Sequence, residues 1–369
     1  IAGVFSINKE DHDRFGSKIQ SLVHRGPDFQ DTRTVNESLT FAHSRLSIVD
    51  LNERSNQPFF DEQSGNYLFF NGEIFNFKEL KGLIPNRQFH TTSDTEVLCY
   101  LLSDLNPEEV LAQCNGMFAF AFWDSSKQEL LMGRDRYGQK PLFYTIQNNS
   151  LFFASEAKTV LPFIPNLKVN HQAVVNYLFE IVIAKNEVSF FEEVEQVKNS
   201  HIYRFKVDST GLKLIAKSSY YSLPRRKETL PYQDAVQEFR ELLQDSIQLR
   251  LSEEVEYAVM LSGGLDSSSI ASIAARENPE KKITSISAVY PDDPKDESVF
   301  ARMVTDQYSN LNPLWIDDID HDRFKIYLQD VIRHLECPLA DGSLIAQHIL
   351  MKKIKEKGIK VILSGNGGD

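Results

Sequence analysis

Two patterns of apolar and polar positions divide the chain. Up to about residue 208, apolar residues gather in short runs such as SLTFAHSRLSIVD, NYLFFNGEIF, FAFAFWD, ELLMGRD and NSLFFAS. Turn formers such as Asn148-Asn149 separate them. Runs of this length between turn residues read as strands, and helical spacing shows mainly at 94–102 and 107–114. Many strands with few helices predict an α+β fold of layered antiparallel sheets. From residue 228 the period changes. Val236, Phe239, Leu243 and Ile247 fall at helical spacing, and EYAVML follows as a short buried strand. Helix 267–276, strand 283–289, helix 297–308, strand 313–316, helices 321–335 and 343–357 and strand 359–364 continue the pattern. That alternation predicts a parallel α/β sheet. The stretch 209–227 is mixed and polar and reads as a linker, so the expected domains are 1–208 and 228–369.

Bulk composition narrows the classes. A chain of 369 residues exceeds one ordinary core, which agrees with two domains. A formal net charge of −12 argues against a broad nucleic-acid surface. The apolar run GMFAFAFW is far too short to span a bilayer, so no membrane partner is expected. The opening residues IAGVFSINKEDH lack a basic start and a long apolar stretch, so they do not read as a secretory leader. Cys99, Cys114 and Cys337 are widely spaced and odd in number, so neither a disulfide framework nor a zinc site is expected. Each reads as a small buried apolar residue, and a reducing cytoplasm is the simplest compartment.

The chemistry concentrates first at YAVMLSGGLDSSSIASIAA, residues 257–275. A buried strand stops at Ser262-Gly263-Gly264 and a helix resumes after Asp266 and three serines. In a parallel sheet, ligands bind at the carboxyl ends of strands, where the next helix presents its N-terminus. Glycine lets backbone N–H groups approach an anion, and the helix dipole and hydroxyls add donors. The turn therefore reads as a phosphate cradle. Asp266 would repel a bare phosphate, and it makes sense if Mg²⁺ lies between the two. The plainer alternative is a glycine turn with Asp266 and Ser267 capping the helix.

LSGGLDSSS resembles the pyrophosphate loop of the ATP pyrophosphatase superfamily, and it lacks the G-x-x-x-x-G-K-S/T pattern of γ-phosphoryl transfer. VILSGNGGD (361–369) resembles the second nucleotide loop of one branch, the glutamine-dependent asparagine synthetases. The resemblance implies ATP contacts at Leu261, Ser262, Gly263, Gly264, Asp266, Ser267, Ala288, Ser364 and Gly365. It implies Mg²⁺ ligands at Asp266 and Asp369. Glu336 in RHLECP matches the family glutamate associated with forming the acyl-adenylate.

The first half carries the same resemblance. HRGPD (24–28), HSRLSIVD (43–50), NGEIFN (71–76), TSDTEV, GMFAFAFWD, GRDRYGQKPLFY (133–144) and FASEAKTV (153–160) match, in order, blocks of a class II glutaminase domain. What this implies is an N-terminal-nucleophile fold ahead of an ATP-pyrophosphatase domain. Arg45, Leu46, Ser47, Ile48 and Val49 would form the glutamine loop, with Arg45 on the substrate α-carboxylate through paired hydrogen bonds. Asn71 and Gly72 would stabilise the tetrahedral oxygen. Glu73 and Asp94 would accept the α-ammonium. Taken singly each of these has a bland reading as a surface charge or an Asn-Gly turn.

The family's nucleophile is an N-terminal cysteine in a Cys-Gly-Ile/Val-x-Gly pattern, and Ile1-Ala2-Gly3 matches that pattern from its third position. The chain as given therefore reads as a fragment that lacks Cys-Gly in front and further contacts behind, and none of its three cysteines substitutes for that nucleophile. The implied substrates are glutamine, aspartate and ATP, and a homodimer is the family expectation. Ammonia would travel inside the protein, with the strand at Phe118–Phe122 as candidate lining or as plain core. Two other readings compete. One is the same adenylation on a different carboxylate, as in polysaccharide, peptide or β-lactam-type biosynthesis, because CPLADGSLIAQ (337–347) matches no aspartate-specific segment. The other is a non-catalytic glutamine or nucleotide sensor.

Overall fold

The structure is a computed structural model. It describes every residue except 17–18, 181–188, 209–210, 224–228, 252–253, 292, 295, 318–320, 340 and 368–369. It forms two compact units, Ile1–Arg225 and Arg226–Asp369.

In the first unit the chain runs β1 (Ala2–Phe5), α1 (Lys9–Gly16), β2 (Phe29–Asn36), β3 (Leu39–Arg45), β4 (Phe59–Asp61) and β5 (Asn66–Ile74). It continues through α2 (Phe77–Leu80), α3 (Asp94–Asp104), α4 (Pro107–Gln113), β6 (Gly116–Asp124), β7 (Glu129–Arg134), β8 (Phe143–Gln147) and β9 (Ser150–Ala154). Then come α5 (Ala157–Val160), α6 (His171–Glu180), β10 (Glu195–Gln196), β11 (His201–Asp208) and β12 (Gly211–Ser219). Two six-stranded sheets result, ordered β10-β8-β9-β1-β3-β2 and β12-β11-β7-β6-β5-β4. Every recorded pairing in them is antiparallel.

Side-chain alternation explains the layering. In β6, Phe118, Phe120 and Phe122 face Leu98, Leu101, Val110 and Leu111 of α3 and α4. The alternate residues Ala119, Ala121 and Trp123 face Phe5, Phe41 and Phe153 of the other sheet. Strands point successive side chains to opposite faces, so a run apolar at every position sits between two cores. Phe41 and Phe69 stack across the sheets at 3.7 Å between ring centroids. Beyond the first sheet, Val4, Ala42 and Phe152 pack on Phe15, Ala157, Val160 and Phe163. The order of layers is helix, sheet, sheet, helix. Phe118, Phe120 and Phe122 are thus fully buried core residues.

The polar stretch expected as linker is a correction. Residues 211–219 form β12, which pairs along the whole of β11 at the edge of the second sheet. Its burial is mostly intermediate to exposed, as an edge strand with one solvated face allows. Helices α1 and α6 were also outside the expected set.

The second unit follows the expected alternation: α7 (Tyr232–Arg250), β13 (Tyr257–Met260), α8 (Leu265–Glu277), β14 (Ile283–Ala288), α9 (Ser298–Gln307), β15 (Leu311–Ile316), α10 (His321–Leu335), α11 (Ser343–Glu356) and β16 (Val361–Leu363). The sheet order is β15-β14-β13-β16, all parallel. Ala271, Ala274 and Ala301 of α8 and α9 cover one face. Val331, Ile345 and Ile349 of α10 and α11 cover the other. Among the described residues no helix is long and apolar enough to cross a membrane.

Candidate functional site

In the first unit, a cavity of about 400 Å³ opens where β1 begins, β3 ends and β5 passes. Its wall includes Arg45, Leu46, Ile48, Val49, Asn71, Gly72, Glu73 and Asp94, so eight of the nine residues expected to bind glutamine converge on it. The ninth, Ser47, sits beside it, its N–H donating to Asp28 Oδ2 at 2.8 Å. Gly26 explains how the two motifs meet. A Cβ there would lie 2.2 Å from the Ser44 carbonyl, so only glycine lets the HRGPD turn lie on β3. Asp28 N–H closes the contact on Arg45 O at 3.1 Å.

The backbone of β5 supplies the sharpest feature. Phe75 N–H bonds to Asn115 O, which turns the odd-numbered residues of β5 toward β6. By strand alternation the even-numbered N–H groups face the other flank. There Phe70 N–H donates to Gln57 Oε1 at 2.6 Å and Ile74 N–H donates to Asp94 Oδ2 at 2.9 Å. Between them, Gly72 N–H faces the cavity with no protein acceptor among the described residues. Gly72 has φ +156°, and a Cβ there would meet Met117 O at 2.1 Å. Asn71, the residue before it, also lines the cavity, and its Nδ2 donates to Ser155 Oγ at 3.4 Å. A free backbone N–H next to a side-chain amide is the kind of donor set that suits an oxygen gaining negative charge.

The same flank of β5 also carries an anionic group. Asp94 opens α3 behind the cap Ser93, whose Oγ accepts Thr95 N–H at 3.1 Å. Asp94 is 4% exposed, and burial raises its pKa from 3.8 to about 6. Buried Glu96 holds the preceding turn by accepting from His90 N, Thr91 N and Thr91 Oγ1. Asp50 ties this turn to the glutamine loop, accepting from Thr92 N at 2.8 Å and Asn52 Nδ2 at 2.8 Å. Burial opposes its ionisation, yet those hydrogen bonds hold its carboxyl far below the usual range.

Arg45 has a task that the sequence did not show. Its Nη1 donates to Asn52 O at 3.0 Å and Asn56 Oδ1 at 2.7 Å, and its Nη2 to Val49 O and Asp50 O. Its guanidinium is therefore the organiser of the 46–56 loop. His43, next to it, is 4% exposed, and burial above all lowers its pKa to about 3, so it is neutral. His24 and Arg25 reach Glu156 at 2.8 and 3.0 Å, and Lys158 reaches it at 2.6 Å. Neither His43, Lys140 nor this cluster was singled out from the sequence. Only the block matches around them were signals.

In the second unit, a cavity of about 500 Å³ lies at the carboxyl end of the sheet. Met260, Ser262, Gly264, Leu265, Asp266, Ser267, Gly365 and Asn366 line it. Five expected nucleotide residues, Ser262, Gly264, Asp266, Ser267 and Gly365, are thus gathered. Ser267 Oγ is the hub, accepting Ser262 N–H at 3.2 Å and donating to Gly264 O at 3.1 Å. A Cβ on Gly365 would come within 2.9 Å of Ser267 N and of Asp266 Cβ, so glycine brings the second loop against the first. Gly263, at φ +92°, serves packing instead, since its Cβ would lie 2.7 Å from Glu297 O.

Leu261 and Ala288 end neighbouring strands outside the lining, joined where Leu261 N–H bonds to Ile286 O at 2.9 Å. Ser364 follows β16 and is also outside it. Glu336 lies just past α10 at φ +57° and is not among the lining residues. Asp369 lies outside the described residues. Among those described, no three His, Cys, Asp or Glu side chains converge as a metal site. Cys99, Cys114 and Cys337 are free thiols and buried, as expected.

Two stacked antiparallel sheets with a polar cavity at their edge, lined by Arg45, Asn71, Gly72 and Asp94, form the frame of a glutamine amidotransferase of the N-terminal-nucleophile type. Residues 1–221 match the model of the glutamine amidotransferase domain, and residues 238–369 match that of asparagine synthase. The chain belongs to the family of glutamine-dependent asparagine synthetases. It is 30% identical to asparagine synthetase (glutamine-hydrolyzing) 1 of Bacillus subtilis over 95% of this chain and 54% of that protein. It is 31% identical to asparagine synthetase B of Escherichia coli over 100% of this chain and 63% of that protein. It is 29% identical to amidase chry2 of Gibberella zeae over 96% of this chain and 54% of that protein. The chain thus spans about half the length of the first and third of these relatives.

Proposed function

We propose that the protein is a cytoplasmic ligase that adenylates the β-carboxylate of aspartate with ATP and amidates it with ammonia drawn from glutamine. The observation that carries the reading is the Gly72 N–H, without an acceptor among the described residues and held between the engaged N–H groups of Phe70 and Ile74.

In the first site a cysteine thiolate, two positions before Ile1 in the family pattern, attacks the glutamine amide carbon. Its own α-amine takes the thiol proton and passes it to the leaving nitrogen. Gly72 N–H and Asn71 Nδ2 hold the oxygen as it becomes negative, and Asp94 and Glu73 hold the α-ammonium. Arg45 sets the loop over the α-carboxylate. Water then opens the thioester and releases glutamate.

In the second site the aspartate β-carboxylate attacks the α-phosphorus of ATP. The bond to the β-phosphate breaks and pyrophosphate leaves from the cradle at Ser262–Ser267. Ammonia attacks the acyl carbon, AMP departs and the nitrogen loses a proton. Asp266 is exposed and has no partner among the described residues, so it suits a hard divalent cation. Asp266 would hold Mg²⁺, with Asp369 as the second ligand the family pattern implies, and the cation would supply positive charge against the departing pyrophosphate. Glu336 assists adenylate formation in this reading.

A second reading keeps the mechanism and changes the acid. It is favoured by the match to an amidase at 29% identity, nearly that of the synthetases. The test is pyrophosphate release by the full-length protein with ATP, Mg²⁺ and ammonia, one candidate acid at a time. Release with aspartate alone, with asparagine formed, supports the first reading. Release with another acid alone replaces the substrate. Release with none, although ATP binds, refutes the ligase.

A further inference from the structure

Lys140 lies in the RDRYGQKPLFY stretch, and no step above uses it. The loop that carries it is held at unusual density. The buried Asp135 carboxylate accepts four backbone N–H groups, from Phe118 at 3.1 Å, Tyr137 and Gln139 at 3.0 Å and Lys140 at 2.9 Å. Arg134 closes the loop from the other side, Nε donating to Lys140 O and Nη2 to Gly138 O, both at 2.6 Å. Both backbone groups of Lys140 are therefore fixed. Its side chain reaches the wall of the amidotransferase cavity. Its ammonium has no hydrogen bond or ion pair among the described residues. Burial, then the charge of Arg25, lowers its pKa below the ordinary value, while Glu73 and Asp135 oppose that shift.

The other cations on this wall are engaged. Arg45 binds four loop oxygens, and Arg25 and His24 bind Glu156. An amino-acid ligand brings one ammonium, which the lining carboxylates of Asp94 and Glu73 suit, and at least one carboxylate. A desolvated carboxylate without a counter-charge is costly. We propose that Lys140 is a carboxylate-binding residue of this cavity, taking a carboxylate of the amino-acid ligand on its ammonium. The inference deepens the glutamine reading and rests on it. The carboxylate is either the α-carboxylate of glutamine or the γ-carboxylate of the glutamate formed.

The experiment compares the intact protein with Lys140→Met and Lys140→Arg. It measures the KM for glutamine and competitive inhibition by glutamate, by the α-amide of glutamate and by the α-amide of glutamine. Lys140→Met is expected to weaken ligands bearing the recognised carboxylate by about 10- to 100-fold. It should leave the α-amide of glutamine, which has no carboxylate, unchanged, and Lys140→Arg should restore binding. Loss for glutamine and glutamate but not for glutamate α-amide assigns the α-carboxylate. Loss for glutamate and its α-amide alone assigns the γ-carboxylate. A uniform loss across all four ligands, or no loss, overturns the proposal. A wild-type protein that neither hydrolyses glutamine nor binds any of the four refutes the glutamine reading itself, and the inference falls with it.

Discussion

Asp94 gives the account a stability signature as well as a binding one. Its carboxylate is almost fully buried at the first position of α3, where Ile74 N–H bonds to it at 2.9 Å. Burial nevertheless raises its pKa from 3.8 to about 6. A folded-state pKa above the unfolded value means that the folded chain holds the extra proton, so stability falls as pH rises through that window. The ionised group therefore costs about 3 kcal/mol above pH 6, at 1.36 kcal/mol per pK unit. Below about pH 4 the cost is absent.

Asp94→Asn keeps the shape and an acceptor for Ile74 while removing the titration. The difference in unfolding free energy between variant and wild type should rise by up to about 3 kcal/mol from about pH 4 to pH 7. At about 2–4 °C per kcal/mol for a domain of this size, calorimetry resolves that as several degrees in the midpoint. The same variant should lose glutamine binding, because the ammonium loses its anionic partner. In the wild type, the KM for glutamine should climb as pH falls below about 6. A variant-minus-wild-type difference that does not move with pH would refute the reasoning, whatever its sign.

Three more outcomes follow from the same geometry. Gly72→Ala should lower glutamine hydrolysis by about 100-fold or more, because its Cβ meets Met117 O at 2.1 Å and displaces the oxyanion donor. Ammonia-dependent synthesis measured alongside should persist, and loss of both activities in a folded protein would count against the assignment. Arg45→Lys cannot reproduce contacts to Asn52, Asn56, Val49 and Asp50 together, so the KM for glutamine should rise with kcat for the ammonia-dependent reaction unchanged. Asp266→Ala should abolish pyrophosphate release and spare glutamine hydrolysis, and retained synthesis would remove the magnesium role.

The strands and helices of the second unit were legible because strand length, apolar run and helical period agree at each step, as from Tyr257 through α8 to β14. The two stacked sheets of the first were legible from runs such as GMFAFAFWD, apolar on both faces. What escaped has physical reasons. Helix α1, KEDHDRFG, buries only Phe15, so it carries no apolar period. Strand β12 has Lys213, Lys217 and two serines on a sheet edge, which reads as polar linker. Most residues that line the two cavities were named from ordered motifs, yet what each of them contacts was not. Nothing in HSRLSIVD says that Arg45 turns its guanidinium onto loop carbonyls. Nothing in SGGLDSS separates Gly263, which admits α9, from Gly264, which lines the cavity. Asp135 and Glu96 read as ordinary acids, because their many N–H donors come from backbone brought together only by folding.

The central claim is that glutamine nitrogen reaches an adenylated acid within one protein. The full-length enzyme would be given ATP, Mg²⁺, aspartate and glutamine carrying heavy nitrogen in its amide, with unlabelled ammonium in excess. Heavy nitrogen in the asparagine amide, with AMP and pyrophosphate formed in step, is the predicted result. Asparagine carrying only unlabelled nitrogen, or glutamate released with no amidated product from any acid tried, would contradict the account.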